Sequence, residues 1–169
     1  GNISIKYQAR GPVMAHVSAC ASSTNAIGEA YRSIKDGYMD IAFAGGSEAS
    51  INELGMSGFA SMRALSFASD PNQGSIPFDK RRSGFVMGEG AGVILLEALD
   101  TALKRNAPIL CEIVGYDTTS DAFHITAPDE NATGITKCLN NALNSASLQP
   151  NDIDYINAHG TSTPLNDYL

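Results

Sequence analysis

The stretch VSACASSTNAIG (residues 17–28) decides how the first part of this chain folds. A short apolar run ends at Cys20, small residues follow it, and helix-forming residues take over from Glu29. This pattern predicts a strand over residues 12–19 and a helix over residues 22–36, with Cys20 between them. The unpaired N–H groups at the start of a helix stabilise an anion, so the position favours a reactive thiolate. A lone cysteine is also commonly a small core residue, and the residues around Cys20 leave that alternative open.

Composition excludes several classes of protein. The chain has 169 residues, of which 43% are hydrophobic and 17% are charged, as expected for a globular protein. Its net charge of −7 argues against a nucleic-acid-binding surface, and no apolar run approaches the length of a membrane span. The three cysteines are odd in number and form no C-x-x-C pair, so we expect no disulfide framework, no metal site and a reducing compartment.

Further segments alternate between strand and helix patterns, which predicts an α/β fold with a parallel or mixed sheet. Gly37 is expected to end the first helix. Further strands are predicted over residues 40–46, 93–96, 109–116 and 152–158, and further helices over residues 57–64, 99–104 and 133–147.

Two reactive side chains, Cys20 and His159, each follow a predicted strand. Ligands of α/β sheets bind at the carboxyl ends of the strands, so the thiol and the imidazole could meet in one site at that edge. A cysteine with a histidine is the minimum set for covalent acyl transfer, because sulfur accepts the acyl group and imidazole handles protons or a developing oxyanion. The alternative for His159 is a histidine that only satisfies hydrogen bonds at the end of a strand.

Five blocks of sequence together identify a family. They are VSACASS (17–23), AGGSEA (44–49), PFDK (77–80), GFVMGEGAG (84–92) and NAHGTST (157–163). In this order and at these spacings they closely resemble the elongating β-ketoacyl-acyl-carrier-protein synthases of fatty acid synthesis, and among these the synthase II group most of all. The resemblance extends over essentially the whole chain.

The resemblance implies a thiolase-like α/β fold. Its two related halves are layered as helix, sheet, helix, sheet and helix, with mixed five-stranded sheets. On this basis the chain covers only the middle part of the fold. Residues 1–106 match the last part of the N-terminal half, and residues 107–169 match the first part of the C-terminal half.

The resemblance also implies a reaction, the decarboxylating Claisen condensation of acyl carrier protein thioesters to 3-oxoacyl carrier protein. Cys20 matches the nucleophile that accepts the acyl group, and its backbone N–H matches part of the oxyanion hole. His159 matches the first of two active-site histidines, which supports decarboxylation of the malonyl group. No cofactor and no metal are implied.

Substrate-binding residues follow from the same resemblance. Those that match the acyl pocket are Phe59, Gly55 and Ala19. Those that match the hydroxyls holding the pantetheine arm are Thr126, Thr161 and Thr163. Relatives often carry a second hydroxyl after the first of these threonines, and Ala127 lacks it.

Two partners are implied, an acyl carrier protein and a second copy of the chain. Homodimers of this family pair through the strand before the nucleophile, here residues 12–17. Acidic carriers meet basic rims, for which the candidates are Arg63, Lys80, Arg81 and Arg82. The expected location is the cytoplasm, with a plastid or a mitochondrion as the alternative in a eukaryote.

Three alternatives remain. A polyketide ketosynthase shares fold and chemistry, although its residues around the nucleophile usually differ. A thiolase uses coenzyme A thioesters and a second cysteine, and the block at residues 157–163 favours the synthase over it. A non-catalytic partner of the chain-length-factor kind has lost the cysteine, so Cys20 argues against that class.

Family members are much longer than this chain, which we therefore interpret as an internal fragment. The buried lysine, the second histidine and the gating loop of the family have no match in it. We expect the isolated piece to expose large apolar faces and to lack condensing activity.

Overall fold

A computed structural model describes residues 1–168. Five α-helices and two β-strands lie along these residues, together with short 3-10 turns. In chain order they are α1 (Asn2–Tyr7), α2 (Ser22–Lys35), β1 (Ile41–Glu48), α3 (Glu53–Ser61), β2 (Gly90–Glu97), α4 (Leu99–Lys104) and α5 (Thr133–Ala146).

The chain divides into two compact units. The first unit combines residues 1–47 with residues 91–116, and so holds α1, α2, α4 and nearly all of both strands. The second unit combines residues 48–90 with the chain from Asp117 onward, and holds α3 and α5.

Helix α2 confirms the helix predicted after Cys20. It ends just before Gly37, whose φ of 77° lies in the left-handed region that glycine adopts without strain. Gly28 is the one buried residue of this helix. The ring of Tyr116 covers it so closely that a Cβ at this position would overlap the ring. The glycine therefore lets Tyr116 lie directly against the helix.

Strands β1 and β2 form a two-stranded sheet within the first unit. The N–H of Ala98, just after β2, donates to the carbonyl of Asp40, just before β1, at 2.9 Å. Farther along, Gly45 lies against Val93. The later residue of one strand therefore faces the earlier residue of the other, which makes the pair antiparallel. This pairing fits the mixed sheet that the sequence predicts, and a purely parallel sheet is excluded.

Three predicted strands, over residues 12–19, 109–116 and 152–158, are not formed among residues 1–168. These predictions are wrong for a common reason: a strand is held by hydrogen bonds to a neighbouring strand, which apolar composition alone does not supply. Val17, in the first of these segments, is 92% exposed.

Helix α3 begins four residues before the predicted start at residue 57. The side chain of Asn52 accepts a hydrogen bond from the N–H of Gly55 at 2.9 Å and so caps the helix. Asparagine is among the preferred N-cap residues, and this cap moves the start of the helix upstream.

Most large apolar side chains are accessible. Among residues 1–168 the buried hydrophobic residues are Ala44 and Ala102 alone. On α5, Ile135 and Leu139 are each more than half exposed. The expectation of large exposed apolar faces is therefore confirmed. None of the helices within this range is long and apolar enough to traverse a bilayer.

Candidate active site

Cys20 lies in a three-residue 3-10 turn, Ala19–Ala21, that leads directly into α2. The residue is exposed and forms no disulfide. The structure thus places the thiol at the N-terminal end of a 14-residue helix, as the sequence predicts. The first N–H groups of a helix have no intrahelical acceptor, so they are available at this end.

Two serines close the turn that carries Cys20. The N–H of Ser18 donates to Oγ of Ser22 at 2.9 Å, and the hydroxyl of Ser22 donates to the carbonyl of Ala19 at 2.7 Å. Ala19 itself has a φ of 49°, which is costly for a residue with a Cβ. The hydrogen bonds around Ser22 therefore hold a strained backbone immediately before the thiol.

In the second unit, His159, Thr161 and Thr163 lie within one short segment. His159 is exposed, and Oγ1 of Thr161 is 2.7 Å from Oγ1 of Thr163, a hydrogen-bonding distance. The segment thus brings an imidazole and two hydroxyls together in sequence order, and the two hydroxyls contact each other.

Ser162 anchors this segment to the loop of residues 76–84 by hydrogen bonds. It is fully buried, its Oγ accepts from the N–H of Ile76 at 3.1 Å, and its carbonyl accepts from the N–H of Gly84 at 3.0 Å. Ser162 is thus buried, whereas Thr161 and Thr163 on either side of it remain partly accessible. The loop of residues 76–84 is therefore the support on which Thr161 and Thr163 rest.

Arg82 and Asp167 anchor the far end of the same segment. The guanidinium of Arg82 donates to the carbonyls of Thr163 and Pro164 at 3.1 and 2.9 Å, and its Nε lies 3.5 Å from Oδ2 of Asp167. The carboxylate of Asp167 is completely buried and accepts from the N–H of Phe78 at 2.9 Å. Arg82, one of the predicted carrier-contacting residues, thus has a structural partner inside its own unit.

The environment of Asp167 favours its charged form. Burial raises the pKa of its carboxyl, but hydrogen bonds from Phe78, Asn166 and Ser162 and the charge of Arg82 together lower it by more. The net pKa of Asp167 lies below its ordinary value. The ionised carboxylate is therefore the form that the folded chain stabilises.

We expect the stabilising effect of Asp167 to disappear in acid. Because its folded-state pKa is depressed, the contribution is complete above the unfolded-state pKa of about 3.9 and is lost as the pH falls through the folded-state value. The variant Asp167→Asn should be less stable than the native protein at neutral pH, with the difference in melting temperature narrowing below about pH 4. Thermal unfolding of both proteins across this range measures the effect. A difference that stays constant down to the lowest pH would contradict the assignment.

The predicted acyl-pocket residues Gly55 and Phe59 lie one turn apart on α3. A Cβ at Gly55 would overlap the carbonyl oxygen of Ser50, so glycine permits this close approach of backbone. The ring of Phe59 meets that of Phe85 edge to face, with centroids 5.0 Å apart. Phe59 is therefore oriented by an aromatic partner within its own unit.

Thr126 lies in a turn built around His124. Nδ1 of His124 accepts from the N–H of Thr126 at 3.1 Å and from that of Ala127 at 3.0 Å. The side chain of Thr126 is exposed. The imidazole of His124 therefore holds the backbone of this turn at both Thr126 and Ala127.

The predicted site residues fall into two groups. Ala19 and Cys20 belong to the first unit, and the others belong to the second: Gly55, Phe59, Thr126, His159, Thr161 and Thr163. Among residues 1–168, no group of three or more His, Cys, Asp or Glu side chains is arranged to hold a metal ion. The groups that the structure presents for chemistry are thus a thiol at a helix start and a histidine beside two hydroxyls.

Sequence reasoning missed the residues that hold these turns. Ser22, four residues after Ser18, was detectable as a hydroxyl at the start of a predicted helix, a position where serine bonds local backbone groups. Ser162, His124 and Asp167 gave no such signal, because their partners depend on contacts that the chain makes only when folded.

Residues 1–102 match the family model of the β-ketoacyl synthase N-terminal domain, and residues 110–169 match that of the β-ketoacyl synthase C-terminal domain. The chain belongs to the β-ketoacyl synthase family.

Two curated relatives are named 3-oxoacyl-[acyl-carrier-protein] synthase 2. The chain is 51% identical over 168 residues to the one from Synechocystis sp., covering 99% of this chain and 40% of that protein. It is 47% identical over 167 residues to the one from Staphylococcus aureus, covering 99% of this chain and 41% of that protein. The chain thus spans about two fifths of the length of these relatives.

Solved structures of ketosynthases share its fold. AntDE:AntF, a type II PKS acyl-carrier protein in complex with its ketosynthase, superposes with a TM-score of 0.95 at 34% identity, covering 98% of this chain and 41% of that one. A β-ketoacyl synthase from Burkholderia phymatum gives 0.93 at 39% identity, with 98% and 40% covered. A ketosynthase (ApeO) in complex with its chain length factor (ApeC) from Xenorhabdus doucetiae gives 0.84 at 32% identity, with 98% and 38% covered. The predicted thiolase-like α/β fold is confirmed.

Proposed function

We propose that the intact protein is a cytoplasmic elongating synthase of fatty acid biosynthesis. It condenses the acyl thioester on one carrier protein with the malonyl thioester on another to give a 3-oxoacyl carrier protein. The observation that carries the proposal is the exposed thiol of Cys20 at the start of α2, in a chain of the β-ketoacyl synthase family. The names of the two curated relatives support the choice of fatty acid elongation.

In the first half-reaction, the thiolate of Cys20 attacks the carbonyl of the acyl thioester on the carrier. A bond forms between the cysteine sulfur and the acyl carbon, and the bond to the pantetheine sulfur breaks, so the carrier leaves as a thiolate and then takes up the proton that Cys20 gave up. Cys20 lies in the turn that leads into α2 and is exposed, so a substrate can reach it. The backbone N–H of Cys20 is proposed to stabilise the oxyanion.

In the second half-reaction, the malonyl group on a carrier loses carbon dioxide. The resulting carbanion attacks the acyl carbon on Cys20, and the cysteine sulfur leaves. We assign His159 to this step, where its imidazole stabilises negative charge on the malonyl thioester oxygen. The exposure of His159 fits a group that meets a substrate.

The proposed substrate contacts divide by chemistry. Hydroxyls of Thr126, Thr161 and Thr163 bind the pantetheine arm, and the contact between Thr161 and Thr163 orients that pair. Ala19, Gly55 and Phe59 line the acyl pocket, where the edge-to-face contact with Phe85 orients Phe59.

We propose that the boundary between the two synthase halves lies between residues 106 and 107. The matches of the two family models, which end at residue 102 and resume at residue 110, support this position. Limited proteolysis should cleave the intact protein near this boundary before other sites, and early cleavage elsewhere would argue against it.

We also propose that the intact protein is a homodimer that pairs through residues 12–17. The exposed apolar side chains of Val13, Met14 and Val17 support this segment as an interface. Light scattering should give twice the mass of one chain, and a monomeric mass would contradict the proposal.

A polyketide-type ketosynthase is the second candidate. It is favoured by the similarity to the AntDE:AntF ketosynthase and to ApeO with its chain length factor. Thiolase activity and a non-catalytic chain-length-factor role have weaker support, because the retained Cys20 and the block at residues 157–163 point to a condensing enzyme.

The proposed function is tested by incubation of the intact protein with two loaded carriers, one bearing an acyl thioester and the other a malonyl thioester. The expected products are carbon dioxide and a 3-oxoacyl carrier protein. Repeated extension without reduction would identify a polyketide ketosynthase instead, and turnover of coenzyme A thioesters alone would identify a thiolase. Condensation that requires a second, cysteine-bearing subunit would indicate the chain-length-factor role.

A further inference from the structure

A chain of side-chain hydrogen bonds leads from the turn of Cys20 to Tyr116, the last residue of the first unit in sequence. The hydroxyl of Tyr116 donates to Oδ1 of Asn25 at 3.0 Å, and Nδ2 of Asn25 donates to Oγ of Ser18 at 2.7 Å. Ser18 is the residue whose N–H bonds Ser22 and thereby closes the turn. Asn25 thus links the nucleophile turn to Tyr116, 91 residues farther along the chain.

The turn needs such support because its backbone is strained. Ala19 has a positive φ of 49°, a conformation that brings the Cβ of a non-glycine residue too close to the following carbonyl oxygen. Strained conformations persist only where surrounding contacts fix them, and they occur frequently at active sites. Every link of the chain from Tyr116 to Ser22 acts against relaxation of Ala19, the residue directly before Cys20.

Tyr116 is itself held in place. Its ring lies against Gly28 of α2, and the guanidinium of Arg32 lies over the ring at 4.7 Å from the centroid. The ring therefore contacts both the backbone of α2 and a cation on the same helix, and these contacts orient the hydroxyl that donates to Asn25. The amide of Asn25, with one donor and one acceptor engaged, has a defined orientation.

We propose that Asn25 and Tyr116 are positioning residues that hold the turn of Cys20 in the geometry needed for acyl transfer. The inference rests on the proposed function, since it concerns how the nucleophile is presented. Neither residue touches the reacting atoms in this proposal. Each acts through Ser18 and the strained Ala19, and the loss of either lowers the rate at which Cys20 is acylated without weakening the binding of the carrier.

The variant Tyr116→Phe removes one hydroxyl and keeps the ring against Gly28 and Arg32. Loss of one neutral hydrogen bond should slow acylation of Cys20 by about 2- to 12-fold in single-turnover experiments, with KM for the acyl carrier protein unchanged. The matched control is Tyr31→Phe, which removes a tyrosine hydroxyl of the same unit that donates to the carbonyl of Val114 at 3.0 Å. The control should acylate at the native rate.

A double-mutant cycle separates positioning from general loss of stability. Asn25→Ala removes both links and should slow acylation more than Tyr116→Phe does. In the Asn25→Ala background, Tyr116→Phe should have a smaller effect than in the native background, because the link from its hydroxyl to Asn25 is already gone. Additive effects of the two changes would overturn the proposal, as would a native acylation rate in Tyr116→Phe or an equal loss in Tyr31→Phe.

Alkylation of Cys20 by iodoacetamide gives a readout that requires no carrier protein. The same variants, assayed in the intact protein, should change the pH profile of this alkylation, whereas Tyr31→Phe should leave it as in the native protein. If the native protein alkylates normally but is never acylated by the carrier, the proposed function fails. If it is acylated and the Tyr116→Phe and Asn25→Ala variants match it in both assays, the positioning role fails.

Discussion

Replacement of Cys20 by alanine is expected to abolish condensation. The proposed reaction passes through a thioester on the sulfur of Cys20, and loss of a covalent nucleophile typically lowers kcat by about 10⁴-fold or more. The measurement is the rate of 3-oxoacyl carrier protein formation by the intact protein. Cys20 is the only thiol near the start of α2 among residues 1–168, so we expect no other described residue to replace it as the nucleophile.

A matched control is available in Cys111. It is also an exposed, free cysteine, and it lies in the same unit as Cys20. The variant Cys111→Ala should retain the native rate, which separates the loss of a particular nucleophile from the loss of any accessible thiol. Continued condensation by Cys20→Ala would disprove the nucleophile assignment. An equal loss in Cys111→Ala would show that the effect is not specific to position 20.

Replacement of His159 by alanine should separate the two half-reactions. Release of carbon dioxide from malonyl carrier protein is expected to fall by about 10²- to 10⁴-fold, the usual range for loss of an acid–base group or an oxyanion-stabilising donor. Acylation of Cys20 should change far less, because His159 is assigned to the malonyl half-reaction. The two rates are measured separately, as labelled carbon dioxide and as acyl-enzyme.

Tyr155→Phe serves as the control for His159. Tyr155 is exposed on the same segment, and its hydroxyl makes only a long hydrogen bond of 3.4 Å to Asn157. It should decarboxylate malonyl carrier protein at the native rate. If His159→Ala slowed acylation and decarboxylation equally, the assignment of His159 to the malonyl step would be wrong.

The predictable parts of the fold are those governed by nearby residues. The start of α2 after Cys20 and its end before Gly37 follow from helix spacing and from the conformational freedom of glycine, and both were predictable. Strand β1 was predictable from its continuous apolar run. The start of α3 lies upstream of the predicted one because Asn52 caps the helix, and this cap is a local signal in the sequence.

The parts that sequence could not predict depend on distant partners. Whether residues 109–116 form a strand is decided by a neighbouring strand, and the antiparallel register of β1 and β2 is likewise a property of the folded pair. The same holds at the candidate site. Cys20 and His159 are recognisable from their own sequence blocks, but Asn25 meets Tyr116 only after the chain has brought residues 91 positions apart together.

Mass spectrometry of the acyl-enzyme tests the central claim most directly. The intact protein is incubated with a carrier protein that bears an acyl thioester, in the absence of malonyl carrier protein, then digested and examined for the added acyl mass. We expect a single acyl group on the peptide that contains Cys20, removable by hydroxylamine as a thioester. An acyl group on another residue, or none on a protein that still condenses its substrates, would contradict the account.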